Sequence, residues 1–256
     1  MSEVHFTGDT SAGLQRLNFA AALMHGAQAL VILIIANDFS LPVTSFFWND
    51  VPNASLDPSR LERLFDIRLS YVIVAYLMLS CVFHAFVASP WGRARYLGEL
   101  RNGQNRFRWV EYTFSSSLMI LMIAMVFGIG DIAGLLGLVG VNSSMILFGW
   151  VMEVVNEPGD GVWWTPFWFG CIAGAVPWIG LVIYLFGPGD EMPGFVYGIF
   201  VSLFVFFNLF AVNQWLQYKR IGRWSDYLFG ERVYLILSLT AKSALAWQMF
   251  GNTLAS

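Results

Sequence analysis

The chain has 256 residues, 57% of them hydrophobic and 12% charged, with mean hydropathy +0.61 and a net charge of −3. A soluble domain carries about 25% charged residues, so this chain cannot both cover a water-facing surface and bury a core; it reads as a polytopic membrane protein in one domain, residues 1–256. The small negative charge without a basic run argues against nucleic acid as a partner. Cys81 and Cys171, both inside apolar stretches, supply neither a disulfide framework nor metal-ligand spacing.

Residues 1–13 are polar and slightly acidic, lack the basic start of a signal peptide, and precede an apolar run longer than a signal core. They are expected to form a cytoplasmic tail before a retained first helix. A membrane helix needs roughly 20 mostly apolar residues, and seven segments qualify: about 14–36, 67–89, 105–128, 131–153, 166–187, 194–218 and 231–254. The expected fold is therefore all-α, a seven-transmembrane helix bundle without internal repeats. The one long connection, 37–66 between the first two spans, contains "LPVTSFFW", whose alternation suits a small β-hairpin or an ordered loop on the helix ends. Gly128 to Asp131 makes a short turn, with Asp131 as N-cap of the fourth span. Glu153 reads as an interfacial residue ending that span. "EPGDGVWWTP" and "GPGDEMPG" separate the next spans, and Trp163, Trp164 and Trp168 read as interfacial belt residues.

Lysine and arginine placement sets orientation. The N-terminal segment and the loops after spans two, four and six carry ten: Arg16, Arg93, Arg95, Arg101, Arg106, Arg108, Lys219, Arg220, Arg223 and Arg232. The opposite side carries three, Arg60, Arg63 and Arg68. This places the N-terminus in the cytoplasm and the C-terminus outside.

Lys242 stands at the midpoint of the last span, where a lysine costs about 2.5–3.5 kcal/mol to insert. A lysine in an apolar pocket is available for Schiff-base chemistry; it also serves structurally when paired with a buried carboxylate. Its natural partner is Glu111 on the third span. Lys242 lies ten residues past Arg232 and Glu111 five past Arg106, depths of about 15 and 8 Å, a gap a lysine side chain spans. Alternatively, Glu111 is an acid near the membrane surface held by Arg108. His25 and His84 lie at membrane depth as hydrogen-bonding residues or, beside a Lys–Glu pair, as a proton-accepting cluster. Trp178, Phe206, Phe207 and Trp247 either line a slot for a flat apolar ligand or are plain helix packing.

Seven spans, a lysine midway along the last, and "RWVEY" (108–112) on the third resemble the microbial retinal-binding proteins. The inverted orientation, with "NRFRWVEY", "NSSMILFGW", "PFWFGCIAGAVPWIG", "PGFVYGI" and "AKSALAWQ", resembles the heliorhodopsins over nearly the whole chain. The resemblance implies a photoreceptor rather than an enzyme. Lys242 would carry all-trans retinal as a protonated Schiff base, and Glu111 would be the counterion. His25 and His84 would accept the released proton, and Arg108 would anchor the cytoplasmic end of their network. Ser238, one turn before Lys242, would hydrogen-bond near the Schiff base. Met145, Gly149, Trp178, Phe206 and Phe207 would line the pocket. The resemblance further implies a homodimer using the outer loop 37–66, in the lipid bilayer of the cell membrane, with an unidentified cytoplasmic signalling partner.

A proton pump needs a second carboxylate about three turns along the third span from the counterion, and Met122 stands there; where pumps keep an acid one turn before the lysine, this chain has Ser238. The expectation is a light sensor with a slow cycle and no net pumping. The alternatives are a light-driven proton or ion transporter, and a non-photochemical transporter with a structural Lys–Glu pair.

Overall fold

The structure is a computed structural model that describes residues 8–48, 51, 57–159, 161–187, 189 and 194–254. The described residues form eight helices and one two-stranded sheet. In chain order these are α1 (Gly8–Ile34), β1 (Ser40–Phe46), β2 (Leu61–Arg68), α2 (Leu69–Ala88), α3 (Pro90–Arg101), α4 (Arg106–Val126), α5 (Ile132–Val155), α6 (Thr165–Phe186), α7 (Gly194–Lys219) and α8 (Tyr227–Leu254). All but α3 are long and apolar enough to cross a bilayer. The protein is a multi-pass membrane protein.

Helix starts follow local chemistry. Asp131 caps α5 by accepting from Gly134 N at 3.0 Å, Asn105 caps α4 by accepting from Arg108 N at 3.0 Å, and Ser89 caps α3 ahead of Pro90. Between α4 and α5 the chain reverses at Gly128, whose φ of +95° lies in the region glycine tolerates.

The structure departs from the sequence reading after α2 and at the start of the last helix. The connection after α2 is a helix, α3, with Gly92, Tyr96 and Leu100 turned inward. The alternating run at 41–48 enters a small hairpin as expected, pairing with Leu61–Arg68, antiparallel from Ser40↔Arg68 to Phe46↔Leu61 with a register shift between Val43 and Thr44. That pairing shortens α2 to begin at Leu69. The sheet is held to the bundle by Thr44 N, which donates to Gly130 O at 2.8 Å. The last helix begins at Tyr227, one turn earlier than expected, which puts Glu231 in its second turn rather than at its first residue.

The bundle reverses the soluble pattern. Phe19, Ile34, Ile172, Ile183 and Phe186 face outward, as suits a lipid solvent. Inside, a cluster around Ile73, Tyr76, Leu77, Met119, Met122, Ile123, Leu245 and Phe250 fills the end of the bundle nearer the sheet. The buried charges His25, His84, Arg108, Glu111, Glu153, Glu231 and Lys242 lie away from it. Packing runs α1 on α2, α2 on α4, α4 on α5, α5 on α6, and α7 on α8, with α8 returning to α1. The backbones of consecutive α6 and α7 stand apart and meet through large aromatic side chains such as Trp178 and Phe204, beside a cavity.

Candidate functional site

Lys242 Nζ donates to Glu111 Oε1 at 2.6 Å and to Ser238 Oγ at 3.0 Å, with both charged side chains only 4% exposed. Ser238 reaches Nζ because it stands four residues earlier on the same helical face. Glu111 Oε1 also accepts from Ser80 Oγ at 2.6 Å, and Nζ sits 5.0 Å from the Tyr112 ring centre. The backbone of α8 is fixed at this level by Tyr76 Oη, which donates to Lys242 O at 3.3 Å. The pair is thus buried, hydrogen-bonded and anchored from α2, α4 and α8.

Lys242 also lines a cavity of about 650 Å³ between α4, α5, α6, α7 and α8. This is within the range of sites that enclose a small organic ligand, roughly 300–1,000 Å³. Its walls are mainly apolar. The Trp178 ring meets Phe200, Phe204 and Phe207 edge-on at 5.7, 5.2 and 5.6 Å. Met145, Gly149, Trp178 and Phe207 line it. Phe206 is not among its lining residues, since one position along a helix turns a side chain by about 100°. Trp247 is also absent from the wall; its Nε1 donates to Gln28 Oε1 at 3.0 Å. A long, flat, apolar molecule bound to Nζ suits this shape and lining.

The histidines come together. The rings of His25 and His84 stack with centroids 5.7 Å apart, and His84 Nδ1 lies 2.8 Å from Asn18 Oδ1. Tyr76, Ser80 and His84 recur every four residues on one face of α2, where Tyr76 bonds Lys242 O, Ser80 bonds Glu111 and His84 bonds Asn18.

Arg108 lines a small void together with His84 and Glu111. It forms buried ion pairs with Glu153 on α5 and Glu231 on α8. Glu153 Oε2 accepts from Trp109 Nε1 at 2.5 Å and Asn105 N at 3.0 Å, and Glu231 Oε2 accepts from Asn105 Nδ2 at 2.8 Å. The Arg108 guanidinium also lies over the Tyr234 ring at 3.9 Å. Glu153 is therefore a buried ion-pair partner rather than an interfacial residue, because the start of α4 covers the end of α5. Glu231 went unnoticed as a site residue, although it precedes Lys242 by eleven positions, about three helical turns, and so shares its face.

Comparison with known proteins agrees with this architecture. The family model described as heliorhodopsin matches residues 14–254. No curated protein sequence matches. Among solved structures, the rhodopsin of Exiguobacterium sibiricum superposes with a TM-score of 0.64 at 15% identity, over 96% of this chain and 98% of that one. The proton-pumping rhodopsin AR2 of the marine alga Acetabularia acetabulum gives 0.64 at 14% identity, over 100% of both chains. At these identities the likeness shows the fold.

Proposed function

The chain belongs to the heliorhodopsin family and is a light-responsive retinal protein of the membrane, and from that premise we propose that it is a photosensor with a slow cycle and no net ion transport. The observation that carries this reading is the placement of Lys242 Nζ, on the wall of the apolar cavity and 2.6 Å from Glu111. Retinal, all-trans in the dark, supplies the light absorption and the isomerisation when bound.

The remaining work falls to the chain. Lys242 holds the chromophore as a Schiff base, and Glu111 balances its positive charge. Ser80 and Ser238 hold the two charged groups in register. Trp178, Phe204 and Phe207 confine a flat molecule and keep water from it. His25 on α1 and His84 on α2, buried and stacked on each other, would take up the proton released at the lysine nitrogen. The protein works as one domain with its N-terminus in the cytoplasm and its C-terminus outside, as a homodimer, passing its signal to a cytoplasmic partner.

The test is expression with all-trans retinal. A visible band bleached by hydroxylamine is expected in the wild type and is absent in Lys242→Ala. A folded wild type that stays colourless, or a Lys242→Ala variant that keeps the band, sinks the reading.

A further inference from the structure

The Arg108 cluster contains two carboxyls and one guanidinium, all within the bundle and with side chains 4% exposed or less. One guanidinium neutralises one carboxylate. A second bare carboxylate, removed from water, carries a desolvation cost of several kcal/mol. Two carboxyls on one guanidinium leave a formal charge of −1 in a dry interior, and a single proton removes it. The donors available here are Arg108, Trp109, Asn105 N and Asn105 Nδ2, so only the guanidinium brings positive charge.

A second observation gives that proton a route. A void of about 30 Å³ is lined by Glu231, Arg108 and Asn105 at one end and by Glu111 and His84 at the other. Such a volume accommodates a water molecule, given polar partners. His84 Nε2, buried on its wall, has no hydrogen-bond partner among the described residues. Around the cluster the titratable side chains are Tyr96 on α3, Tyr218 on α7, Tyr227 and Tyr234 on α8 and, across the void, His84 on α2 and Glu111 on α4. Burial holds the Tyr96 phenol well above its ordinary range, so it stays neutral there.

We propose that Glu153 and Glu231, clamped by Arg108, form a second protonatable site that carries one proton in the dark and exchanges it with the Glu111–His84 end of the void through Glu231. The shared proton belongs to the chain whether or not retinal is bound. Only the exchange with the counterion rests on the photosensor reading.

Infrared spectra of the unilluminated, retinal-free protein at neutral pH, with and without ¹³C-labelled glutamate, test the shared proton. A label-sensitive carbonyl stretch of a protonated carboxyl is expected in the wild type. It persists in Glu111→Gln and disappears in both Glu153→Gln and Glu231→Gln, because the remaining carboxylate then balances Arg108. A wild type without the band, or a band that survives both single variants, overturns the proposal. With retinal added, the same band is expected to change in light-minus-dark spectra; a coloured protein in which it stays constant overturns the exchange. Colour itself reports separately on Lys242, so a colourless protein showing the expected bands refutes the photosensor reading and leaves the shared proton standing.

Discussion

Ser80 Oγ donates to the same oxygen, Glu111 Oε1, that receives Lys242 Nζ, and both distances are 2.6 Å. The hydroxyl fixes the carboxylate from α2 while the ammonium holds it from α8, so the ion pair is a three-helix contact. Glu111→Gln leaves a buried ammonium without its charge partner, a change worth about 3–5 kcal/mol. The retinal-free variant is expected to melt well below the wild type in a thermal scan. After reconstitution, its visible band disappears at a lower pH on alkaline titration, since the carboxylate favours the charged form of a nitrogen beside it. Ser80→Ala shifts both readings the same way by less, about 1 kcal/mol. An alkaline titration in Glu111→Gln that overlays the wild type assigns the counterion role elsewhere.

Gly149 gives the cavity its floor. A Cβ there would meet Cζ3 and Cη2 of Trp109 at 2.6 and 2.7 Å. The indole cannot swing away easily, since its Nε1 donates to Glu153 and its ring lies 4.7 Å from the Arg108 guanidinium. Gly149→Ala is expected to destabilise by about 1–3 kcal/mol through overpacking and to lower the yield of coloured protein. Gly170, also on the wall, is the control: a Cβ there meets Phe148 Cβ at 3.4 Å and Met145 O at 3.5 Å, ordinary contacts. Equal yields from the two alanine variants contradict the argument.

Lys242 and Glu111 could be read from the sequence because a charge in an apolar helix is conspicuous, and Asp131 because capping is local. What the sequence hid was non-local or a matter of phase. Glu153 looked terminal because only the fold brings Asn105 and Trp109 over it. Phe206 and Phe207 differ only in rotation about α7, and the apolar run 203–207 carries no periodicity to set that angle. The helix α3 lacks an apolar stripe, although Ser89 and Pro90 signal its start. β2, "LERLFDIR", alternates too irregularly to announce a strand, and its pairing with β1 depends on a long connection.

Asp131 offers a local check on stability without touching the site. Its side chain accepts from Gly134 N at 3.0 Å, and the adjoining Gly130 O receives Thr44 N from the sheet. Asp131→Ala is expected to cost about 1 kcal/mol, the usual worth of an N-cap. The thermal midpoint falls while the absorption maximum stays put. A shifted maximum would instead link this end of the bundle to the chromophore.

The proposed absence of pumping rests on where the polar groups lie. From Lys242, hydrogen bonds reach Glu111 and Ser80, and a small void lined by Glu111, His84, Arg108 and Glu231 lies beyond, with Glu153 paired to Arg108. Toward the sheet, the described interior is Met119, Met122, Ile123, Leu245, Met249 and Phe250, with Met122 only 1% exposed where a relay would need an acid. A thioether cannot carry a proton, and among the described residues no buried Asp, Glu, His or Lys occupies that half. On the proposed reading, a proton leaving the lysine nitrogen returns by the side it left. Vesicles containing the coloured protein are expected to show no sustained pH change under continuous light, with or without a protonophore. A steady, protonophore-sensitive change would require a route through the apolar half, and Met122→Glu is then the variant that should accelerate it.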